Sequence, residues 1–252
     1  AGRMSEPRVV TTIADLRVAT DGARAAGRTV GFVPTMGYLH EGHRALMAAA
    51  RRECDVVVVS IFVNPLQFGA NEDLAGYPRD LERDLAACAA EGVDLVLHPT
   101  VEEMYPRPMI TTVTVGRITE RLCGASRPTH FAGVATVVAK LLHIVGPCRA
   151  YFGKKDYQQV AVVRTMVEDL AMPVVIVAHP TVREDDGLAK SSRNTYLDAA
   201  ARADALALSR ALVATIAAVR DGARDRGGLQ RDLEARIDGS PGVVRDYAEV
   251  LR

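Results

Sequence analysis

The chain of 252 residues lacks an excess of charge of either sign, a long apolar run, a hydrophobic leader, a pair of close cysteines and any internal repeat. Thirty-one basic residues balance thirty-one acidic ones, which gives no reason to invoke a polyanionic partner such as nucleic acid and leaves room only for a local basic pocket. No apolar stretch approaches the length of a membrane span. The start, Ala1-Gly2-Arg3-Met4-Ser5-Glu6-Pro7, is not read as a signal peptide, and Met4 is read as the native start. The four cysteines, Cys54, Cys88, Cys123 and Cys148, lie too far apart in sequence for a CxxC zinc site or a disulfide framework. A reduced, cytoplasmic compartment is the plain reading. What is present is ordinary for a globular protein, 48% apolar and 25% charged residues, enough to bury a core.

Short apolar runs alternate with helical patterns. Thr29–Val33, Val56–Val63, Val93–Leu97, Arg149–Phe152 and Val174–Ala178 read as strands, most of them without polar alternation, as in a parallel sheet covered on both faces. Helices are expected from Thr12 to Gly27, over 44–52, from Tyr77 to Glu91 with Gly92 as the stop, from Thr129 to Val145, and from Tyr157 to Leu170. The segment 102–117 is proline-rich and irregular, with a candidate strand at Ile110–Val115. This alternation is the pattern of a doubly wound α/β parallel sheet. After Pro180 the pattern changes to a polar loop and two helices, about 198–220 and 229–237, so residues 1–180 and 181–252 are read as two units.

Four stretches carry side chains suited to a nucleotide and a small polar substrate. Pro34-Thr35-Met36-Gly37-Tyr38-Leu39-His40-Glu41-Gly42-His43 joins a strand to a helix, where backbone N–H groups and the helix dipole favour phosphate. On spacing alone, a shared ligand for His40 and His43 and a mere solvated cap stand level. Asn64 and Gln67 follow the second strand and offer both donors and acceptors, although beside Pro65 a turn-organising role is the simpler reading in isolation. Gly153-Lys154-Lys155-Asp156, with Gln158 and Gln159, places point charges at a strand end, or else a solvated helix end. Ser191-Ser192-Arg193 is a clamp for phosphates or a pair of caps. His98, His143 and His179 read as turn or core residues, and His130 as a lesser candidate ligand.

In combination and in order, these motifs, together with Arg127-Pro128-Thr129-His130-Phe131-Ala132-Gly133-Val134 and Lys155-Asp156-Tyr157-Gln158-Gln159, resemble the pantothenate synthetase family over nearly the whole chain. That family belongs to the nucleotidyltransferases sharing histidine and serine/lysine signatures with class I aminoacyl-tRNA synthetases. The resemblance implies a Rossmann-like sheet with a smaller C-terminal α+β lid. It implies an ATP-dependent ligase that joins pantoate to β-alanine through a pantoyl adenylate, releasing AMP and pyrophosphate. ATP would contact Met36 to His43, Gly153 to Asp156, Val182 and Lys190 to Arg193, with His43, His40 and Lys155 acting on the phosphates. Gln67, Gln159 and Asn64 would hold the substrates. Magnesium would accompany ATP through ligands the sequence does not assign, and the assembly would be a homodimer with no nucleic-acid or membrane partner. A related adenylyltransferase, or a nucleotide-binding protein without catalysis, are the alternatives.

Three departures from the family pattern stand out. Lys154 takes the place of a usual glutamate and Lys190 of a usual methionine, each adding positive charge beside an expected phosphate site. Relatives of the resembled family usually continue beyond Arg252 by several tens of residues, so the lid is expected to be shortened and to leave apolar surface open.

Overall fold

β-branched residues with no polar alternation build the centre of the fold. In Val56–Ile61 (β3) every position is buried, and successive side chains divide between two cores. Val56 and Val58 join one hydrophobic cluster, and Val57 and Val59 join the other. This is the period of two expected of a strand with protein on both faces. The computed structural model describes residues 6–69 and 74–251, so Met4 lies outside the described residues.

Around β3 stand Arg8–Val10 (β1), Val30–Thr35 (β2), Leu95–Leu97 (β4), Cys148–Gly153 (β5) and Val174–His179 (β6). The order is β1-β4-β3-β2-β5-β6, and all five pairings are parallel. Ile13–Ala25 (α1), His130–Val145 (α6) and Tyr157–Asp169 (α7) supply the first cluster. Glu41–Glu53 (α2) and Leu81–Ala90 (α3) supply the second, on the opposite face. Val101–Met104 (α4) and Cys123–Ser126 (α5) are single turns. The chain leaves β2 towards β3 and β4 on one side and later takes up β5 and β6 on the other. The C-terminal ends of β2 and β5 therefore flank a topological switch point, where such sheets bind ligands.

The expected strands and helices fall within a few residues of where the patterns placed them, except that the helix expected from Tyr77 begins at Leu81, capped by Asp80, and two further differences stand out. The candidate strand Ile110–Val115 is not formed. Ile110 is 94% exposed, Val113 and Val115 pack on the core, and the Val113 N–H donates to Thr136 Oγ1 at 3.0 Å, so the segment is tied down by side chains with no strand beside it. The edge strand β1, three residues long, is too short to show a period and was not expected.

Residues 181–251 contain Ala199–Arg220 (α8) and Arg226–Asp238 (α9), capped by Asp198 and Asp225, around a small core of Ala211, Leu233 and Ile237. The strands expected of an α+β lid are not among these described residues, where one isolated antiparallel bridge joins Arg183 to Ala189. Leu208, Val213 and Ile216 on α8 are exposed.

One close approach fixes the floor of the crevice. A Cβ on Gly133 would lie 2.2 Å from the Leu66 carbonyl oxygen and 2.7 Å from Gln67 Cα. Helix α6 thus presses directly against the 3₁₀ turn Pro65–Gln67. Gly133→Ala is expected to lower stability by about 3 kcal/mol through overpacking, read from urea denaturation midpoints. An unchanged midpoint would show that the helix and the turn stand further apart.

Candidate active site

The turn after β2 is held from beneath by a carboxylate. Asp84 of α3 is 1% exposed and accepts the backbone N–H groups of Leu39 at 2.6 Å and Tyr38 at 2.7 Å. Thr35 Oγ1 donates to the Ser60 carbonyl at 2.7 Å and accepts the Gly37 N–H at 3.2 Å. Gly37 has φ +83°, and a Cβ there would meet Asp84 Oδ2 at 2.9 Å, so the turn requires glycine both for its conformation and for its closeness to the carboxylate. Tyr38 also lies in the left-handed region, at φ 50°. Burial pushes the Asp84 carboxyl up, against the pull of the two N–H donors.

The two histidines cap α2 reciprocally. His40 Nδ1 accepts the Gly42 N–H at 3.0 Å, and His43 Nδ1 accepts the His40 N–H at 3.3 Å. A backbone nitrogen can only donate, so both Nδ1 atoms carry lone pairs and each neutral ring bears its proton on Nε2. The ring centroids lie 4.1 Å apart. His43 lies half-buried on the cleft floor, its ring packed round by protein, and desolvation, then His40 and Lys155, pushes its pKa down to about 3. His40 is lowered by burial first and Lys155 second. Both are therefore neutral donors at physiological pH in the unliganded protein.

Across the switch point, Gly153 ends β5, and Lys155 and Asp156 in the following 3₁₀ turn border the cleft, their charged atoms 3.4 Å apart. Gln159, in the first turn of α7, borders it too. On the floor, Asn64 and Gln67 come from the end of β3. From the second unit come Val182 and Lys190 to Arg193. The cleft opens to solvent, and its enclosed part measures about 210 Å³.

Some of the expected residues stand behind the wall. Met36, His40, Gly42 and His43 border the cleft, whereas Gly37, Tyr38, Leu39 and Glu41 do not. Leu39 is buried in the second core, and the Tyr38 ring lies beneath the Arg83 guanidinium, 4.6 Å from its centre. Lys154 is exposed and does not border the cleft. Lys190 does, and its charge is already engaged, by Glu184 at 2.7 Å and Glu41 at 3.3 Å. Gln158 serves a loop, donating to the carbonyls of Ile118 and Arg121, both at 2.8 Å. His98, His143 and His179 each contact a backbone carbonyl through Nδ1. His130 Nδ1 lies 3.1 Å from the Gln67 carbonyl, so it supports the floor.

Sequence reasoning missed Asp84, Tyr77 and Tyr105. Asp84 sits four residues before the buried Cys88, a charge on the buried stripe of a helix, and that misplacement was the available signal. Tyr77 is 7% exposed, borders the cleft and lies 3.5 Å from Ser192 Oγ through its hydroxyl.

The cleft thus offers neutral N–H donors, an ammonium, a guanidinium and hydroxyls, a set suited to phosphate and carboxylate oxygens. Comparison with known proteins agrees with this chemistry. The family model for pantoate–β-alanine ligase matches residues 8–252. The chain belongs to the pantoate–β-alanine ligase family. It is 53% identical over 244 residues to the pantothenate synthetase of Heliobacterium modesticaldum, covering 97% of this chain and 87% of that one. The crystal structure of pantothenate synthetase from Thermus thermophilus superposes with a TM-score of 0.89 at 52% identity, covering 95% of this chain and 85% of that one. A pantoate–β-alanine ligase from Francisella tularensis, solved with a β,γ-ATP compound and β-alanine, gives 0.79 at 34% identity, over 91% and 86% of the two chains.

The depressed histidine has a consequence for stability in this ligase-family fold. A base whose pKa falls on folding leaves the unfolded chain binding more protons between its folded and unfolded values. Stability from His43 is therefore complete above about pH 6.5 and is lost as pH falls towards about 3. Between pH 6.5 and 4.5 the wild type should lose up to about 1.4 kcal/mol per pH unit more than His43→Gln. Urea titrations across that window measure it, and parallel curves for the two proteins would place His43 in solvent.

Proposed function

We propose that this chain catalyses the ATP-dependent condensation of pantoate with β-alanine to pantothenate, through a pantoyl adenylate. The observation that carries the reading is the position of the histidine turn, Lys155 and Ser191–Arg193 around one cleft at the switch point, with the neutral amides of Gln67 and Gln159 on its floor and far wall. A carboxylate oxygen of pantoate attacks the α-phosphorus of ATP, and pyrophosphate leaves. The β-alanine amine then attacks the acyl carbon, and AMP leaves with the bond electrons while the amine loses a proton. No enzyme nucleophile is needed, so the work is positioning and stabilising charge.

In this reading the Nε2–H groups of His40 and His43 donate to phosphate oxygens as charge builds in the transition state. Lys155 and Arg193 neutralise the phosphates, and Ser191 and Ser192 donate to them. Gln67 and Gln159 hold pantoate, with Asn64 beneath. Among the described residues no group of three or more His, Cys, Asp or Glu side chains could hold a metal ion. Asp156 at the cleft edge fits the one-carboxylate share of a magnesium ion that arrives on ATP. Residues 181–251 form a lid that closes over the cleft and shields the adenylate from water. The same reading includes a homodimer in the cytoplasm, and among the described residues no helix is long and apolar enough to cross a membrane.

Release of AMP and pyrophosphate that requires pantoate, and pantothenate formation that also requires β-alanine, is the expected result. Pyrophosphate release without pantoate would point to a different acceptor. His43→Ala is expected to lower kcat by about 10²–10³-fold, and near-normal adenylation by that variant would remove the histidine from the mechanism. Because Lys190 already pairs with Glu184 and Glu41, and exposed pairs contribute about 0–1 kcal/mol, Lys190→Met should shift kcat/KM for ATP by no more than about fivefold. A larger gain would show that the lysine impairs the site.

A further inference from the structure

We propose that Tyr105, which does not border the cleft, is a positioning residue that acts through Asn64 to fix the polarity of Gln67, so that Gln67 presents its Nε2 amino group and recognises a substrate oxygen. On the ligase reading that oxygen belongs to pantoate, and this last step rests on that reading.

The argument runs along one chain of hydrogen bonds. Asn64 is 1% exposed and caps the 3₁₀ turn Pro65–Gln67. The Leu66 N–H, which can only donate, lies 3.4 Å from Asn64 Oδ1. The Gly133 carbonyl, which can only accept, lies 3.3 Å from Nδ2. Backbone groups of fixed character on both sides thus orient the Asn64 amide. The Tyr105 hydroxyl, 2.7 Å from Oδ1, must therefore donate to it. The remaining Nδ2 hydrogen goes to Gln67 Oε1 at 3.1 Å. With its oxygen turned inward, Gln67 sends Nε2 to the side of Met36 Sδ, at 3.4 Å, and both residues border the cleft.

The strengths along this chain make Tyr105 the firmest hold on the orientation that the backbone groups select. Its bond to Asn64 is the shortest of the four, and the two backbone contacts are long. Tyr105 is itself fixed, with the Phe62 ring at 6.0 Å and Lys140 Nζ 5.2 Å from its ring centre, while Lys140 Nζ donates to the Met104 carbonyl. Burial raises the phenol pKa, so the hydroxyl remains a donor at every pH at which the protein is used. Without that donor a reversed Asn64 amide competes, and reversal would turn the Gln67 oxygen towards an anionic substrate, which a carbonyl oxygen repels.

Two measurements on the full chain test this. In the ligand-free protein, nuclear Overhauser contacts should join the Gln67 side-chain N–H₂ protons to the Met36 methyl group, and Tyr105→Phe should produce a second set of Gln67 amide signals. Gln67 N–H₂ protons that contact Asn64 in the wild type would overturn the assigned polarity. In the assay, Tyr105→Phe should raise KM for pantoate about tenfold, leave KM for ATP within about twofold, and add less than about twofold in a Gln67→Ala background. An equal effect in both backgrounds, a parallel rise in the ATP KM, or no effect on wild type would each overturn the positioning role. A wild type that makes no pantothenate would reject the ligase reading instead, and the magnetic-resonance result would still decide the polarity of Gln67.

Discussion

The two hydrogen bonds from the Tyr38 and Leu39 N–H groups to the buried Asp84 carboxylate are the constraint on which the cleft depends. They act where the chain turns out of β2, with Gly37 and Tyr38 both at positive φ, a backbone path that disfavours itself without compensation. A carboxylate is suited to this because each oxygen accepts one N–H, whereas an amide would turn a donor towards one of them. The clamp also fixes where α2 begins. From there the His40–His43 cap sets which ring nitrogens are donors. One side chain from α3 thus determines the chemistry that the turn after β2 displays.

A second theme is that the cleft's polar groups are made one-sided by what stands behind them. His40 and His43 have their acceptor nitrogens occupied by backbone N–H groups. Gln67 has its oxygen occupied by Asn64. Lys155 and Arg193 have only donors to offer. Amphoteric side chains have in this way been turned into fixed donors, and the cost of arranging them is met in folding, before any anion arrives. That is the preorganisation which favours stabilising a developing negative charge over binding a neutral ligand.

The sheet was legible because its signal is local. Runs such as Val56–Val59 can hardly be anything but a covered strand, and the alternation with helical patterns then implies the parallel order. The histidine turn was legible as a phosphate-binding candidate, and five motifs in order raised it to a family resemblance. What escaped turned on how short turns rotate and cap the chain and on which strands stand beside one another. Lys154 and Lys155 are indistinguishable by type, yet one is solvated and the other borders the cleft, because the 3₁₀ turn after β5 rotates them apart. His40 and His43 form a capping box that ordinarily uses serine and glutamate, and spacing alone left a cap and a shared ligand level. The Ile110–Val115 run has the composition of a strand, but no neighbouring strand was available to complete it.

The attachment of residues 181–251 to the sheet unit bears on closure. Near the cleft the contacts include Tyr77 with Ser192, Tyr196 with the Gly76 carbonyl, and Lys190 with Glu41. Further off they include Arg121 with Glu249 and Ser126 with Asp246. These are polar contacts, most of them exposed, and water can replace such partners at a cost of about 0–1 kcal/mol each. A broad apolar interface would lock the units together, whereas on the proposed reading exchangeable polar contacts let them part and meet again during catalysis. Lys190 is the informative case. It joins Glu184 of its own unit to Glu41 at the start of α2, so it ties the loop to the helix whose N-terminus faces the cleft. On the proposed reading this ammonium is already neutralised when a phosphate arrives, and its exchangeable pair with Glu41 can part as the units move.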